Sequence, residues 1–399
     1  MSHRACHSTH FHSTSHAITG THLYVLYEGY GFSVASLYCL GFATGAFASP
    51  ITGPLVDRLG RKKSAILYCL LEISINMLEQ HNWLPGLIIS RMVGGVTTNL
   101  LSTVFDAWLD TEYRRRGLAK EGYEIIMRDS VIVSNLAAIG SGYLAHVLAK
   151  QFGPVGPFEG AVTFTAIALI VVMFVWTENY GCGDDQQMKG MGEFLGDAVN
   201  AFKRDKRILR VGIIQGMTCA SIQIFIFLWS PALRHFAKCA PEGTLGLDSE
   251  GEPAYGLIFG AFMGAGVMGG LVAPSVRRLA TRLLSPITGP GAITVEVEVD
   301  GIEKVRPMAV EVLSATCYIF SALLLLAPHV LAEEGTHSFS ICLASFLIYE
   351  FMVGLYLPCE GVIRSIYFPA EGRASIMTLP RIIVNCGVSV GVVLTTLIT

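Results

Sequence analysis

Two arginines lie inside long apolar segments of the chain, where a fixed positive charge is least expected. At the helical rise of 1.5 Å per residue, Arg91 and Arg381 each lie roughly 10 Å from the nearer end of their segment. A charged side chain at that depth is costly and marks a functional candidate. Because the guanidinium stays charged and binds oxyanions through two parallel hydrogen bonds, the chemistry these residues favour is anion binding.

Each arginine also has a structural interpretation. Arg91 could hold backbone carbonyls where two helices cross, and Arg381 could pair with an acid such as Glu350. A third arginine, Arg128, lies near the end of its segment, so its side chain can extend to the aqueous boundary. It is therefore the weakest of the three candidates.

Acids and amides inside the apolar segments extend the set of candidates. An acid that faces a cavity can carry a coupled proton, although Asp106 could instead form a salt bridge at a gate. Glu28 precedes the first complete segment and could line a pathway. The amides either line a path or form hydrogen bonds between helices. The acids are Glu72, Asp106, Asp129, Glu350 and Glu360, and the amides are Asn99, Asn135, Gln215, Gln223 and Asn385.

The composition places these polar residues in an apolar protein. Of 399 residues, 52% are hydrophobic and 15% are charged, whereas a soluble domain carries about 25% charged residues. A soluble fold could not cover so much apolar surface, and disorder requires the opposite composition. A net charge of −3 does not favour nucleic-acid binding. The composition therefore predicts an all-α membrane protein whose partner is the lipid bilayer.

Ten segments are long and apolar enough to cross a bilayer as helices, since a span needs about 20 apolar residues. A helix satisfies its own backbone hydrogen bonds inside lipid. Runs such as residues 166–176 are continuously apolar, which is typical of spanning helices. The predicted spans are residues 34–55, 64–80, 84–109, 125–149, 157–178, 208–233, 254–276, 308–331, 339–363 and 374–397.

Basic residues alternate from loop to loop. Nearly all Lys and Arg outside the spans fall in every second loop, beginning with the loop that contains Arg58. The loops between them hold only Lys150, Arg234 and Lys238. By the positive-inside rule, the basic loops face the cytosol.

The polar stretch at 181–207 divides the spans into two halves of five, and its basic amphipathic part is typical of an interfacial helix. The alternating residues around 300–301 predict a small hairpin. The His-rich first residues either bind metal or form a disordered end, and their spacing fits no particular metal site. The expected regions are a tail at 1–20, an N-terminal half at 21–180, a cytosolic linker at 181–207 and a C-terminal half at 208–399.

The loop between the first two spans carries the most specific motif. Its glycines permit close packing and unusual backbone angles, its acid can cap a helix or pair with arginine, and its basic side chains can meet anionic lipid. The motif resembles the loop signature G-x-L-x-D-R-x-G-R-K of the major facilitator superfamily, where this loop acts as a conformational latch between two halves. The matching residues are Gly53, Asp57, Arg58, Gly60, Arg61 and Lys62.

Further motifs resemble the molybdate-anion transporter family within that superfamily. Arg91 and Gly95 fit a superfamily R-x-x-x-G pattern, and residues 105–108 fit the family pattern Phe-Asp/Glu-x-Trp. The family order of the motifs assigns spans two to eleven of the family to the ten predicted helices. The other matching stretches are residues 23–32, 176–180, Gln215 with 227–231, 354–358, and 369–377 leading to Arg381.

The resemblance implies a helical carrier that takes up molybdate, a tetrahedral dianion, by alternating access. Carriage of another small solute, such as a sugar or an organic anion, and a truncated protein without transport activity are the alternatives. The sequence contains no constellation for an enzyme, a metal site or a cofactor, and we expect a monomer in the plasma membrane rather than an endomembrane. The implied substrate-binding residues are Arg381, Arg91, Gln215 and Asn385. The implied proton-coupling or gate residues are Asp106, Glu28 and Glu350.

Overall fold

The chain is described here by a computed structural model. The structure describes residue 19 and residues 22–115, 120–180, 191–241, 243–288, 295–298, 302–331, 338–368, 376 and 378–398. Of the predicted tail at 1–20 only residue 19 is described, and the first part of the linker, 181–190, lies outside the described residues. The same holds for the surroundings of Gly53 and for the side chains of Asp57, Asp106, Arg128 and Asp129, whose backbones lie in helices.

Helices form nearly all of the described chain, which confirms the predicted all-α class. The first half of the chain contains α1 (Leu23–Gly29), α2 (Val34–Leu59), α3 (Arg61–Glu79), α4 (Leu84–Arg115), α5 (Lys120–Phe152) and α6 (Gly156–Val175). The second half contains α7 (Met191–Arg204), α8 (Lys206–Ala237), α9 (Tyr255–Thr288), α10 (Pro307–Leu331), α11 (Ser338–Tyr367) and α12 (Thr378–Ile398).

Ten of these helices coincide with the ten predicted spans. Seven of the ten are long and apolar enough to cross a membrane by length and composition. The other three, α3, α5 and α12, are shorter or more polar over their described residues; α3, for example, begins at Arg61 and contains Glu72 and Glu79. Many large apolar side chains lie on the outside of the bundle, such as Phe174 and Leu271, and lipid is the environment that suits them.

The two halves repeat one packing pattern. In the first half α2 and α3 both pack against α4, and in the second half α9 and α10 both pack against α11. The halves meet through α2 against α12 and α5 against α9. These two contacts are equivalent if α2 corresponds to α9 and α5 to α12, so the described bundle consists of two structural repeats. We call the boundary between the repeats, formed by the α2–α12 and α5–α9 contacts, the seam.

Small residues allow the closest helix approaches. A Cβ atom on Gly95 of α4 would overlap the carbonyl oxygen of Gly41 in α2, and one on Gly354 of α11 would overlap that of Gly266 in α9. Across the seam, Gly142 of α5 and Gly256 of α9 approach in the same way. These contacts therefore require glycine.

The predicted hairpin is confirmed. Strands β1 (Val295–Glu298) and β2 (Ile302–Val305) pair antiparallel, with Val295 opposite Val305. The hairpin lies between α9 and α10, in a loop predicted to be cytosolic. It adds little to the core, which lies between the helices.

Candidate functional site

A cavity of about 170 Å³ opens between α2, α3 and α4 of the first half and α12 of the second half. Four glycines line it, at positions 41, 45, 94 and 95, so the helix backbones form much of its wall. Because Asn385 of α12 is part of the lining, the cavity lies beside the seam between the halves. Its polar lining residues are Thr19, Glu72, Asn76, Glu79, Arg91, Thr97, Thr98, Asn99 and Asn385.

Arg91 is the cation that lines this cavity. It forms an ion pair with Glu79, whose side chain is only 2% exposed. Its guanidinium carbon lies 5.6 Å from the centre of the Tyr27 ring, within the range of a cation–π contact. The Nε atom of Arg91 is buried and has no hydrogen-bond partner among the described residues. Arg91 is therefore held in place while one of its donors stays unused.

The hairpin of α3 and α4 explains how Arg91 meets Glu79. Residues 80–83 connect the two helices, and Pro85 occupies the first turn of α4, where its missing N–H costs nothing. Side chains on a helix point back toward its N-terminus, so Arg91 extends toward the connection and reaches Glu79, the last residue of α3. The structural interpretation of the sequence proposed backbone carbonyls as partners of Arg91, and it did not consider Glu79.

Glu79 accepts three side-chain contacts. The hydroxyl of Tyr27 donates to its Oε1 at 3.2 Å and the hydroxyl of Ser90 at 3.3 Å, in addition to the ion pair with Arg91. The hydroxyl of Tyr30 donates to the carbonyl oxygen of Glu79 at 3.0 Å. Helix α1 is thereby fixed to the end of α3. The signal that could have identified Glu79 is its position at the end of a predicted span, one short turn before the span that contains Arg91.

Two amides complete the polar wall. Asn99 donates from Nδ2 to the carbonyl oxygens of Gly45 at 2.9 Å and Gly95 at 3.1 Å. Asn385 of α12 lies beside Gly45, across the seam. Asn99 thus forms an interhelical hydrogen bond and lines the cavity as well.

The candidate substrate-binding residues separate into two groups. Arg91 and Asn385 line one cavity, although they are far apart in the sequence. Arg381 is half-buried one helical turn before Asn385 and is not among the residues that line the cavity. Gln215 is also not in the lining; it lies in a second polar cluster.

The second cluster surrounds Glu360 on α11, a residue with no exposed surface. Its Oε1 accepts hydrogen bonds of 2.8 Å from Thr218 on α8 and from Tyr318 on α10. Arg364, on the same helix, lies 3.8 Å from its Oε2. Gln215 accepts from Arg364 at 3.1 Å and donates to the carbonyl oxygen of Glu360 at 3.1 Å. Gln215 therefore joins α8 to α11 by hydrogen bonds.

The candidate gate acids occupy different places. Glu28 forms an ion pair with Arg234, whose Nε also lies 3.4 Å from Glu252, and this pair joins α1 of the first half to α8 of the second. Glu350 is buried where α11 packs against Gly266 of α9, and it does not line the cavity. The side chain of Asp106 lies outside the described part of the structure. Of the two acids whose side chains the structure describes, Glu28 is the one in a contact between the halves.

The predicted latch loop is held by the segment after α6. The N–H groups of Arg61 and Lys62 donate to Asn179 O at 3.0 Å and to Glu178 Oε1 at 2.9 Å. Gly60 has a φ of +93°, and a Cβ atom there would overlap Glu178. The loop must therefore carry glycine at this position to accept the acid.

An indole pair extends the same contact to α4. Trp108 and Trp176 stack with ring centres 4.0 Å apart, and Trp108 donates to Thr177 O at 2.9 Å. Asn179 donates to Trp108 O at 3.2 Å. The motifs at 53–62, 105–108 and 176–180 are thus parts of one structural unit within the first half. Arg58 of the loop is exposed.

Comparisons with known proteins decide the family. A family model described as sugar transporters with 12 transmembrane spans matches residues 11–286. The chain belongs to this family. It is a branch of the major facilitator superfamily, so the predicted superfamily is confirmed, and the chain is a multi-pass membrane protein of a transporter family rather than an enzyme.

Curated relatives agree with the narrower resemblance. The molybdate-anion transporter of Xenopus tropicalis is 29% identical over 375 residues, which cover 92% of this chain and 73% of that protein. The molybdate-anion transporter of Takifugu rubripes is 27% identical over 390 residues, with the same coverage.

Solved structures confirm the fold. Two crystal structures of the nucleoside transporter NupG, one of them a mutant, superpose with TM-scores of 0.74 and 0.70. They cover 99% and 98% of this chain, and 90% and 89% of NupG, at 12% identity. At that identity the likeness shows the fold and nothing about the solute.

Among the described residues, no group of His, Cys, Asp and Glu is arranged to hold a metal ion.

Proposed function

We propose that this chain carries molybdate across a membrane by alternating access and binds it in the cavity that Arg91 lines. The observation that carries the proposal is a half-buried guanidinium with a buried and unused donor, Nε, in a polar cavity beside the seam between two repeated halves. The molybdate-anion transporters among its relatives support the choice of solute.

The cavity lining contains hydrogen-bond donors that a compact oxyanion requires. Such an anion loses its water shell on entry, and hydrogen-bond donors must replace it. The Arg91 guanidinium supplies charge and a planar pair of donors. The side-chain amide of Asn385 and the hydroxyls of Thr97 and Thr98 lie in the same lining. Charge-assisted hydrogen bonds of this kind strengthen in surroundings of low dielectric constant.

The position of the cavity suits alternating access. Carriers bind substrate where two repeats meet and expose the site by rocking one repeat against the other. Here Asn385 of α12 borders a cavity built mainly by α2, α3 and α4, so a movement at the α2–α12 contact would change the cavity wall. The ion pair of Glu28 with Arg234 lies on the face predicted to be non-cytosolic, and we propose that it closes that face.

The remaining predicted residues keep their proposed roles at other points of the pathway. Arg381 is proposed to contact the anion as it enters or leaves, because it lies one helical turn from Asn385. Asp106 and Glu350 stay proposals for proton coupling or gating. The loop at 53–62 is proposed to act as the conformational latch. Gln215 is the exception, because its hydrogen bonds to α11 favour a structural role.

We also propose that the carrier works as a monomer in the plasma membrane. The cavity lies between the two halves of a single chain, and a carrier of this type rocks one of its own repeats against the other. Surface labelling of intact cells that express the full chain checks the membrane, and the mass of the detergent-solubilised protein checks the oligomeric state.

Uptake of mass-traced molybdate tests the function. We expect cells that express the full chain to accumulate more molybdate than cells with an empty vector. Excess tungstate or sulfate should compete, because both are tetrahedral dianions, and sugars should not. A chain that reaches the membrane without raising molybdate uptake contradicts the proposal. Competition by a sugar or an organic anion but not by the oxyanions identifies another solute carrier.

A further inference from the structure

The charges around the cavity do not suit a dianion as they stand. Glu72 and Glu79 both line it, against the single cation Arg91. Glu72 is 4% exposed and Glu79 is 2% exposed, so water screens them little. An entering dianion would meet two carboxylates and one guanidinium, and that guanidinium is already paired. Repulsion between like charges at these distances is large in a medium of low dielectric constant.

Of the two acids, Glu79 is the one in contact with Arg91. Its carboxylate contacts Tyr27 of α1 and Ser90 and Arg91 of α4, and its carbonyl oxygen accepts from Tyr30, which follows α1. The other acid of the lining, Glu72, lies two turns earlier on the same helix. None of the hydroxyl groups requires Glu79 to be charged, because a protonated carboxyl keeps an oxygen that accepts from Tyr27 and Ser90. Only the ion pair with Arg91 depends on the charge.

A proton on Glu79 would therefore change one interaction and preserve the rest. It would remove a negative charge from the cavity wall and release the guanidinium of Arg91. The new O–H of Glu79 could itself donate to an oxyanion. The buried Nε of Arg91 would then act together with its released Nη2, which is the geometry that binds an oxyanion through two hydrogen bonds.

From this geometry we infer that Glu79 is a proton-coupling residue at the binding cavity, and that Arg91 exchanges Glu79 for the oxyanion when Glu79 takes up a proton. The inference rests on the proposed function. The proton passes from water to a carboxylate oxygen of Glu79, the Arg91–Glu79 ion pair breaks, and the Arg91–oxyanion pair forms. On release the proton leaves Glu79 and the ion pair forms again. One proton then crosses with each dianion through this residue.

The experiment compares uptake at mildly acidic and at neutral external pH. Protonation of Glu79 favours binding, so uptake by the wild-type chain should increase several-fold as the pH falls. Glu79→Gln keeps the acceptor for Tyr27 and Ser90 but cannot release a proton. We expect this variant to lose the pH response and uphill accumulation while it still exchanges labelled for unlabelled molybdate.

Two further variants complete the design. Glu79→Asp retains a titratable group and should keep the pH response, which guards against a folding defect in the glutamine variant. Glu360→Gln alters an equally buried acid outside the cavity and should also keep the response. A wild-type pH response in Glu79→Gln, or its loss in Glu360→Gln, overturns the inference. Absence of molybdate uptake by the wild-type chain at either pH contradicts the proposed function itself.

Discussion

Each half of the described bundle buries a glutamate beside an arginine, and the two pairs are built differently. Glu79 and Arg91 stand on two helices of a hairpin and face the cavity. Glu360 and Arg364 stand one turn apart on α11, and neither lines the cavity. The same pair of residue types therefore lies in two different electrostatic settings.

Each acid accepts two hydrogen bonds from hydroxyl groups, so the difference lies in the arginine beside it. Glu360 accepts short hydrogen bonds from Thr218 and Tyr318, while Arg364 reaches Gln215. Hydrogen bonds of this network join α8, α10 and α11, and a buried polar network of this kind stabilises one arrangement of helices. Glu79 relies on its ion pair with Arg91 for charge compensation, and the cavity offers Arg91 another partner. We infer that the second-half pair is structural and that the first-half pair can be exchanged.

The largest expected effect on transport is that of Arg91→Ala, which is compared with the same substitution at Arg364. Arg91→Ala removes the guanidinium of the cavity and leaves Glu79 buried without its partner. Hydrogen bonds to charged groups contribute about 1.5–3 kcal/mol, so we expect molybdate uptake at low substrate concentration to fall about ten- to hundredfold. Initial uptake rates, normalised to the folded carrier in the membrane, measure the change.

Arg364→Ala is the matched control for this comparison. It should lower the melting temperature of the purified protein, because Gln215 and Glu360 lose a partner. Its uptake per folded molecule should stay at the wild-type level. If Arg364→Ala abolished transport while Arg91→Ala preserved it, the assignment of the two clusters would be reversed.

A smaller effect is expected at the equivalent glycine contacts of the two halves. Gly95→Ala forces α4 away from Gly41, and Gly354→Ala forces α11 away from Gly266. Overpacking of a tight contact costs about 1–3 kcal/mol, so both variants should lower the melting temperature. Gly95 lines the cavity, so Gly95→Ala should also raise the KM for molybdate. A KM raised equally by Gly354→Ala would show that the effect is not local to the cavity.

The smallest effect is expected at the ion pair between the halves. Glu28 and Arg234 are 45% and 41% exposed, and exposed pairs contribute about 0.2–1 kcal/mol. Arg234→Ala should therefore change the maximal uptake rate by less than about fivefold. The exchanged pair Glu28→Arg with Arg234→Glu should restore the wild-type rate if the contact acts through charge. A loss as large as that of Arg91→Ala would instead place Arg234 at the substrate.

Much of the fold follows from local sequence properties. The length and apolar content of each segment predict its helix, and the ten expected spans correspond to ten helices. The α2–α3 loop motif, with Gly60 at positive φ, was also recognisable, since a tight turn between two helices demands particular residues at fixed spacing. The hairpin at 295–305 followed from alternation around a turn.

The candidate site was predictable only in part. Arg91 was found because a charge inside an apolar segment is exceptional. Glu79 was overlooked because it ends a span, where an acid is ordinary, and only the hairpin geometry brings it to Arg91. The sequence left open whether Gln215 lines a path or forms hydrogen bonds between helices. The packing of α8 against α11 decides for the hydrogen bond between helices.

By itself the sequence determined the number and type of the elements, because apolar length, turn residues and charge alternation are local quantities. Only the tertiary structure decided which polar side chains share a cavity. Asn385 of α12 lines the same cavity as Arg91 of α4 because the two halves dock along α2, and no local pattern encodes that docking. It depends on the fit of complete helix surfaces, with glycines where backbones touch and side chains wherever space remains.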